Sequence, residues 1–92
     1  MAQEPREVRR GPYANEIAEA LYQARAMPIA ELGRRIALKR EYVSDIVNGW
    51  RLPSAEQLDR IVEVLGWSAE QLYPTEEFRT AIEATRRAEE PA

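Results

Sequence analysis

The chain contains neither cysteine nor histidine. The first absence excludes disulfides, thiolate nucleophiles and cysteine-based zinc sites; the second removes the other usual zinc ligand and the commonest general base. No apolar run extends beyond a few residues, whereas a membrane-spanning helix needs about 20. Residues 1–10 are charged and no hydrophobic stretch follows them, so no secretory signal is expected and the cytoplasm is the expected compartment. Carboxylates and arginines are plentiful, but none stands in a context that predicts an enclosed pocket with a shifted pKa. Neither enzymatic activity, a cofactor nor a metal site is expected.

What is present suits one small helical domain. A chain of 92 residues can bury a helical core that is stable without metal or disulfide support. The net charge of −3 conceals an uneven distribution. Between residues 29 and 51 five basic residues (Arg34, Arg35, Lys39, Arg40, Arg51) face three acidic ones (Glu31, Glu41, Asp45), a local balance of +2. From residue 52 onward four basic residues meet nine acidic ones, a balance of −5. The middle of the chain therefore suits a polyanion, and the acidic remainder suits a surface turned away from it.

Punctuation along the chain divides it into six helices. Residues 1–11 are polar, contain Pro5 and carry no apolar periodicity; they read as a flexible basic arm. Pro12, followed by Tyr13, Ile17 and Leu21 with Ala14, Ala18 and Ala24 at helical spacing, predicts a first helix over residues 12–27. Pro28 opens a second, with Ile29, Leu32 and Ile36 on one face and Arg34 and Arg35 on the other. After Leu38 and Lys39 a short third helix runs from Arg40 to about Val47, stopped by Asn48 and Gly49. Ser54 with Gln57 and Ser68 with Gln71 are capping boxes opening helices 4 and 5. Gly66 ends the former and Pro74 the latter. Thr75 starts a sixth helix with Phe78, Ala81, Ile82 and Thr85 along one face, and the chain past Ala88 reads as frayed.

Two short helices that cross steeply need a small residue where their backbones meet and apolar residues to lock the crossing. Gly33 provides the first, and Leu32, Ile36, Val43 and Ile46 the second. The run from Leu32 through Gly33-Arg34-Arg35-Ile36-Ala37-Leu38-Lys39-Arg40-Glu41-Tyr42-Val43-Ser44-Asp45-Ile46-Val47 to Asn48-Gly49 resembles, without a gap, the Cro/repressor-type (xenobiotic-response-element-like) helix-turn-helix family. Pro53-Ser54, Leu58, Ile61, Leu65-Gly66 and Leu72 continue the resemblance, which covers residues 13–73. It implies an all-α, five-helix phage-repressor-like DNA-binding domain, here over residues 12–74, with an additional C-terminal helix and tail over residues 75–92. Two positions depart from the family pattern. Ala37 must adopt the turn conformation that Gly takes more easily, at about 1 kcal/mol. Lys39 replaces the usual Ser or Thr cap of helix 3, which suits a nearby phosphate.

The resemblance implies a sequence-specific regulator, foremost a repressor, that binds double-stranded DNA as a homodimer on a palindromic operator. With Val43 and Ile46 inward, Arg40, Glu41, Ser44 and Asp45 project outward as candidates for base contact. Arg40 is the first choice for guanine; Glu41 or Asp45 could accept from cytosine N4 or hold Arg40 in place. Arg34, Arg35, Lys39 and Arg51 suit phosphates. For Glu41, Asp45 and these four basic residues the competing reading is an ordinary solvated surface. Trp50 is expected to pack over helix 4 rather than stack beside DNA, and Trp67 to close the core or join a subunit contact. The apolar stripe of helices 5 and 6 suggests a symmetric interface containing Trp67, Tyr73, Phe78 and Ile82; the competing view folds helix 6 back on its own helix 1. Two other functions stay open: an antitoxin of the same fold with a toxin partner, or a protein-interaction module that has lost DNA binding.

Overall fold

Apolar spacing and caps resolve, in the computed structural model of residues 10–89 (side chains to residue 86), into helices with no strand among the described residues. They are α1 (Ile17–Gln23), α2 (Ile29–Ile36), α3 (Arg40–Val47), α4 (Ala55–Leu65), α5 (Ala69–Leu72) and α6 (Glu76–Glu89). Both capping boxes form. Ser54 Oγ accepts the Gln57 N–H at 3.2 Å while Gln57 Oε1 accepts the Ser54 N–H at 2.9 Å; Ser68 and Gln71 repeat the exchange at 3.1 and 2.8 Å. Gly66 ends α4 in the left-handed conformation with φ 77°, as a helix stop requires.

The first helix is shorter than its spacing suggests. Instead of beginning at Pro12, the chain runs along the end of α3: the Gly11 N–H donates to the Asn48 carbonyl at 2.9 Å and the Tyr13 N–H to the Gly49 carbonyl at 3.0 Å. The Glu16 N–H, which a helix begun at Pro12 would direct to the Pro12 carbonyl, donates instead to the Leu72 carbonyl at 2.8 Å. Asn15 then accepts the Ile17 N–H through Oδ1 at 2.9 Å and opens α1. At the other end Arg25 and Ala26 have φ of 63° and 56°, and the Met27 N–H closes back on the Leu21 carbonyl at 2.9 Å. The arm expected over residues 1–11 lies outside the described residues up to position 9; Arg10 is exposed. The tail beyond residue 89 is likewise outside them, and α6 stays helical to Glu89.

One apolar core holds the helices together. Ile17, Leu21, Leu32, Ile36, Val43, Ile46, Leu58, Ile61, Leu72, Tyr73 and Ile82 are buried in it, each aliphatic side chain contributing about 1.5–3 kcal/mol of burial. α4 is the central post, packed against α2, α5 and α6. α6 folds back mainly on α4, and Phe78 meets Tyr13, just ahead of α1, edge to face at 5.4 Å between ring centroids.

This packing removes two residues from the interface expected from the apolar stripe. Tyr73 and Ile82 retain 0% and 2% of their surface, so these two side chains belong to the domain's own core and offer nothing to a second subunit. Burial also pushes the Tyr73 hydroxyl pKa well above the ordinary phenol value, and that hydroxyl has no hydrogen-bond partner among the described residues. Trp67 and Phe78 are partly buried against the core and keep some exposed surface. No helix among the described residues is long and apolar enough to cross a membrane.

Candidate nucleic-acid interface

The α2–α3 crossing depends on two backbone positions. A Cβ on Gly33 would lie 2.7 Å from the Leu38 carbonyl oxygen, closer than van der Waals contact permits, so the turn passes over α2 only where no side chain stands. Ala37 ends α2 with φ 63° and ψ 43°, the left-handed conformation expected of it. Lys39 is extended at φ −68° and ψ 150° and makes no side-chain cap, so the first N–H groups of α3 are left open toward the basic surface.

Val43 and Ile46, at 1% and 0% exposure, fix the rotation of α3. Arg40 and Glu41 stand exposed in its first turn, with Ser44 and Asp45 half-buried farther along. Ser44 Oγ accepts from Asn48 Nδ2 at 3.3 Å. The second half of α3 is tied down from the N-terminal segment, where Asn15 Nδ2 donates to the Ile46 carbonyl at 3.0 Å. Arg60 of α4 donates to the Ile36 carbonyl at 3.2 Å and closes the end of α2. Both helices of the motif are therefore held by side chains from outside it.

The expected phosphate-directed residues differ in their partners. Arg34 and Arg35 both pair with Glu31, the second at 2.7 Å through Nε. Their hydrogen bonds and charge, Arg35's foremost, hold the Glu31 carboxyl below its ordinary pKa. Arg51 lies 3.8 Å from Asp45, and its guanidinium carbon sits 4.2 Å above the Tyr42 ring centroid, within cation–π range. Lys39 and Arg40 are exposed and form no ion pair among the described residues. An open cleft of about 390 Å³ runs along this surface, walled by Lys39, Glu41, Tyr42, Asp45 and Arg51 over a floor of Ala37 and Leu38.

Three residues carry more of this arrangement than sequence reading assigns. Asn15 stood inside an expected helix, although Asn before an apolar run is a helix-start signal. Tyr42, partly buried against the core, also supports Arg51. Arg60 carries no local signal for its role, since its partner is 24 residues away. Trp50 departs from expectation in the other direction: the residue is 51% exposed rather than packed against the core, and its backbone N–H is held by the Asp45 carbonyl at 2.8 Å.

A short helix crossing beneath a second one that presents polar side chains outward defines the molecule as a helix-turn-helix protein. The family model described as helix-turn-helix matches residues 18–72, and the chain belongs to this family, of Cro/C1, xenobiotic-response-element-like type, whose members are DNA-binding transcription regulators. Neither a curated protein nor a solved structure matches the chain.

Proposed function

We propose that this chain is a cytoplasmic repressor that binds a palindromic operator in double-stranded DNA as a homodimer. The observation that carries the reading is the outer face of α3. Arg40 and Glu41 are exposed there, and the buried Val43 and Ile46 leave the helix no freedom to rotate. Arg40 has the chemistry for bidentate donation to guanine O6 and N7, and Glu41 or Asp45 for accepting from cytosine N4; Ser44 serves either kind of edge. Arg34, Arg35 and Lys39 supply the sequence-independent attraction to phosphates, and Arg51 is a further phosphate-directed residue beside α3.

A single short recognition helix covers little DNA, and a two-fold dimer doubles the contacts with half-sites about one helical turn, or ~10 base pairs, apart. Trp67 and Phe78, which keep exposed surface, suit such a contact. Repression then follows from occupying the operator. Selection of bound sequences from random duplexes, with sedimentation of the free chain at micromolar concentration, tests both parts. A palindromic consensus and a dimer are expected; a monomer that retains no duplex at any salt concentration would rule the reading out. Glu41 and Asp45 on the same face, with the net charge of −3, favour one alternative, a protein-interaction module, whose signature is the absence of any salt-dependent mobility shift.

A further inference from the structure

The partner of Asp45 is Arg51, six residues ahead in the loop after α3, and not Arg40 on its own helix. Asp45 Oδ2 and an Arg51 terminal nitrogen stand 3.8 Å apart, close enough to attract and too far to hydrogen-bond. The side chains are 48% and 46% exposed, so each can take another partner without unfolding anything. Tyr42 holds the guanidinium from the side, 4.2 Å from ring centroid to carbon, and so keeps Arg51 beside α3 whether or not Asp45 pairs with it. All three line the cleft that runs past the turn.

Resting on the DNA-binding reading above, we infer that Asp45 is a specificity-determining residue with two exclusive partners: Arg51 in the free domain, and a cytosine amino group in the complex with the correct sequence. Cytosine N4 is the one major-groove donor of a G·C pair, and a carboxylate accepts from it. Where thymine O4 or guanine O6 stands at that position instead, the carboxylate faces an acceptor, the only other major-groove donor being adenine N6. It then stays with Arg51 and withholds that charge from the backbone. Where cytosine is in reach, a charge-assisted hydrogen bond below about 3 Å displaces the looser ion pair. Arg51, still supported by Tyr42, is then released to a phosphate. One base pair thereby controls one phosphate contact.

Salt dependence reads this coupling directly. Wild type, Asp45→Asn and Arg51→Gln are titrated against the selected duplex, against duplexes with each of its cytosines replaced in turn by thymine, and against random duplex, over a salt series. Asp45→Asn is expected to bind random duplex several-fold more tightly, with a log–log salt slope steeper by about 0.9, the signature of one added phosphate contact. It also loses the roughly ten- to hundredfold preference at one cytosine. Arg51→Gln is expected to flatten the slope by about 0.9 on the selected duplex and to leave the random-duplex slope unchanged. The inference is overturned if Asp45→Asn keeps the wild-type slope on random DNA, or if Arg51→Gln flattens both slopes alike while wild type still selects its sequence. Failure of the wild-type chain to retain any duplex removes the DNA-binding reading and this inference with it.

Discussion

The Thr85 hydroxyl accepts the backbone N–H of Ala55 at 2.7 Å and donates to the Ile82 carbonyl at 2.7 Å, so α6 closes the first turn of α4. The N–H of Ala55 is one of the donors a helix start leaves without an internal partner, and Ala55 is buried at 1% exposure. The capping box serves Ser54 and Gln57 only, and Thr85 serves Ala55, one of the two residues between them. Thr85→Val preserves the shape and removes the acceptor. It is expected to lower stability by about 1–2 kcal/mol, seen in urea unfolding as a lower midpoint at unchanged slope. An unchanged midpoint would mean that Ala55 finds another acceptor.

Ala37 and Gly33 invite substitutions of opposite sign. The left-handed backbone of Ala37, φ 63°, suits glycine, and Ala37→Gly is expected to raise stability by up to about 1 kcal/mol. Gly33→Ala pushes a Cβ to 2.7 Å from the Leu38 carbonyl oxygen, and a loss of about 1–3 kcal/mol is expected. Thermal unfolding of both variants checks the crossing; stabilisation by Gly33→Ala would show that the helices stand farther apart.

Tyr73 carries its buried hydroxyl without a partner among the described residues. Tyr73→Phe removes that group and leaves the ring in place, so stability is expected to hold or to rise by about 1 kcal/mol. A clear loss in denaturant unfolding would reveal a hydrogen bond that the hydroxyl makes.

Glu31 gives the domain part of its acid sensitivity. Its folded pKa is depressed by Arg35 and Arg34 from an ordinary value of 4.5. The stabilisation is therefore present above that value and is lost as the pH falls through the lower folded one. Glu31→Gln should make the fall in melting temperature below about pH 4.5 shallower than in wild type. A carbon-detected titration showing Glu31 at or above its ordinary value would contradict the double pairing.

Arg40 and Arg34 separate base reading from phosphate attraction. Arg40→Ala is expected to lose about 1–3 kcal/mol of discrimination at one guanine per half-site. Arg34→Ala should weaken every duplex alike and flatten the salt slope by about 0.9. Binding titrations on selected and random duplexes decide it, and a uniform loss from Arg40→Ala would move that residue to the backbone.

Much of the architecture is local in origin and could be read along the chain. The two capping boxes close between residues three apart, Gly66 and Ala37 end helices through their own φ, and the Val43–Ile46 spacing sets which side of α3 turns inward. Residues 12–16 misled because Ala14, Ile17 and Ala18 have helical spacing whether or not the backbone is helical. The backbone partners of Tyr13 and Glu16, Gly49 and Leu72, lie more than thirty residues away.

Taken alone, the order of residues determined the helices after the first, their stops and the motif, because those depend on hydrogen bonds and periodicities spanning a few positions. Only the tertiary structure decided that Tyr73 and Ile82 serve the domain's own core, that Asn15 and Arg60 secure the reading pair, and that Asp45 faces Arg51. An apolar stripe or a charge declares what it needs but not which distant surface supplies it; that choice is made when the helices pack around α4.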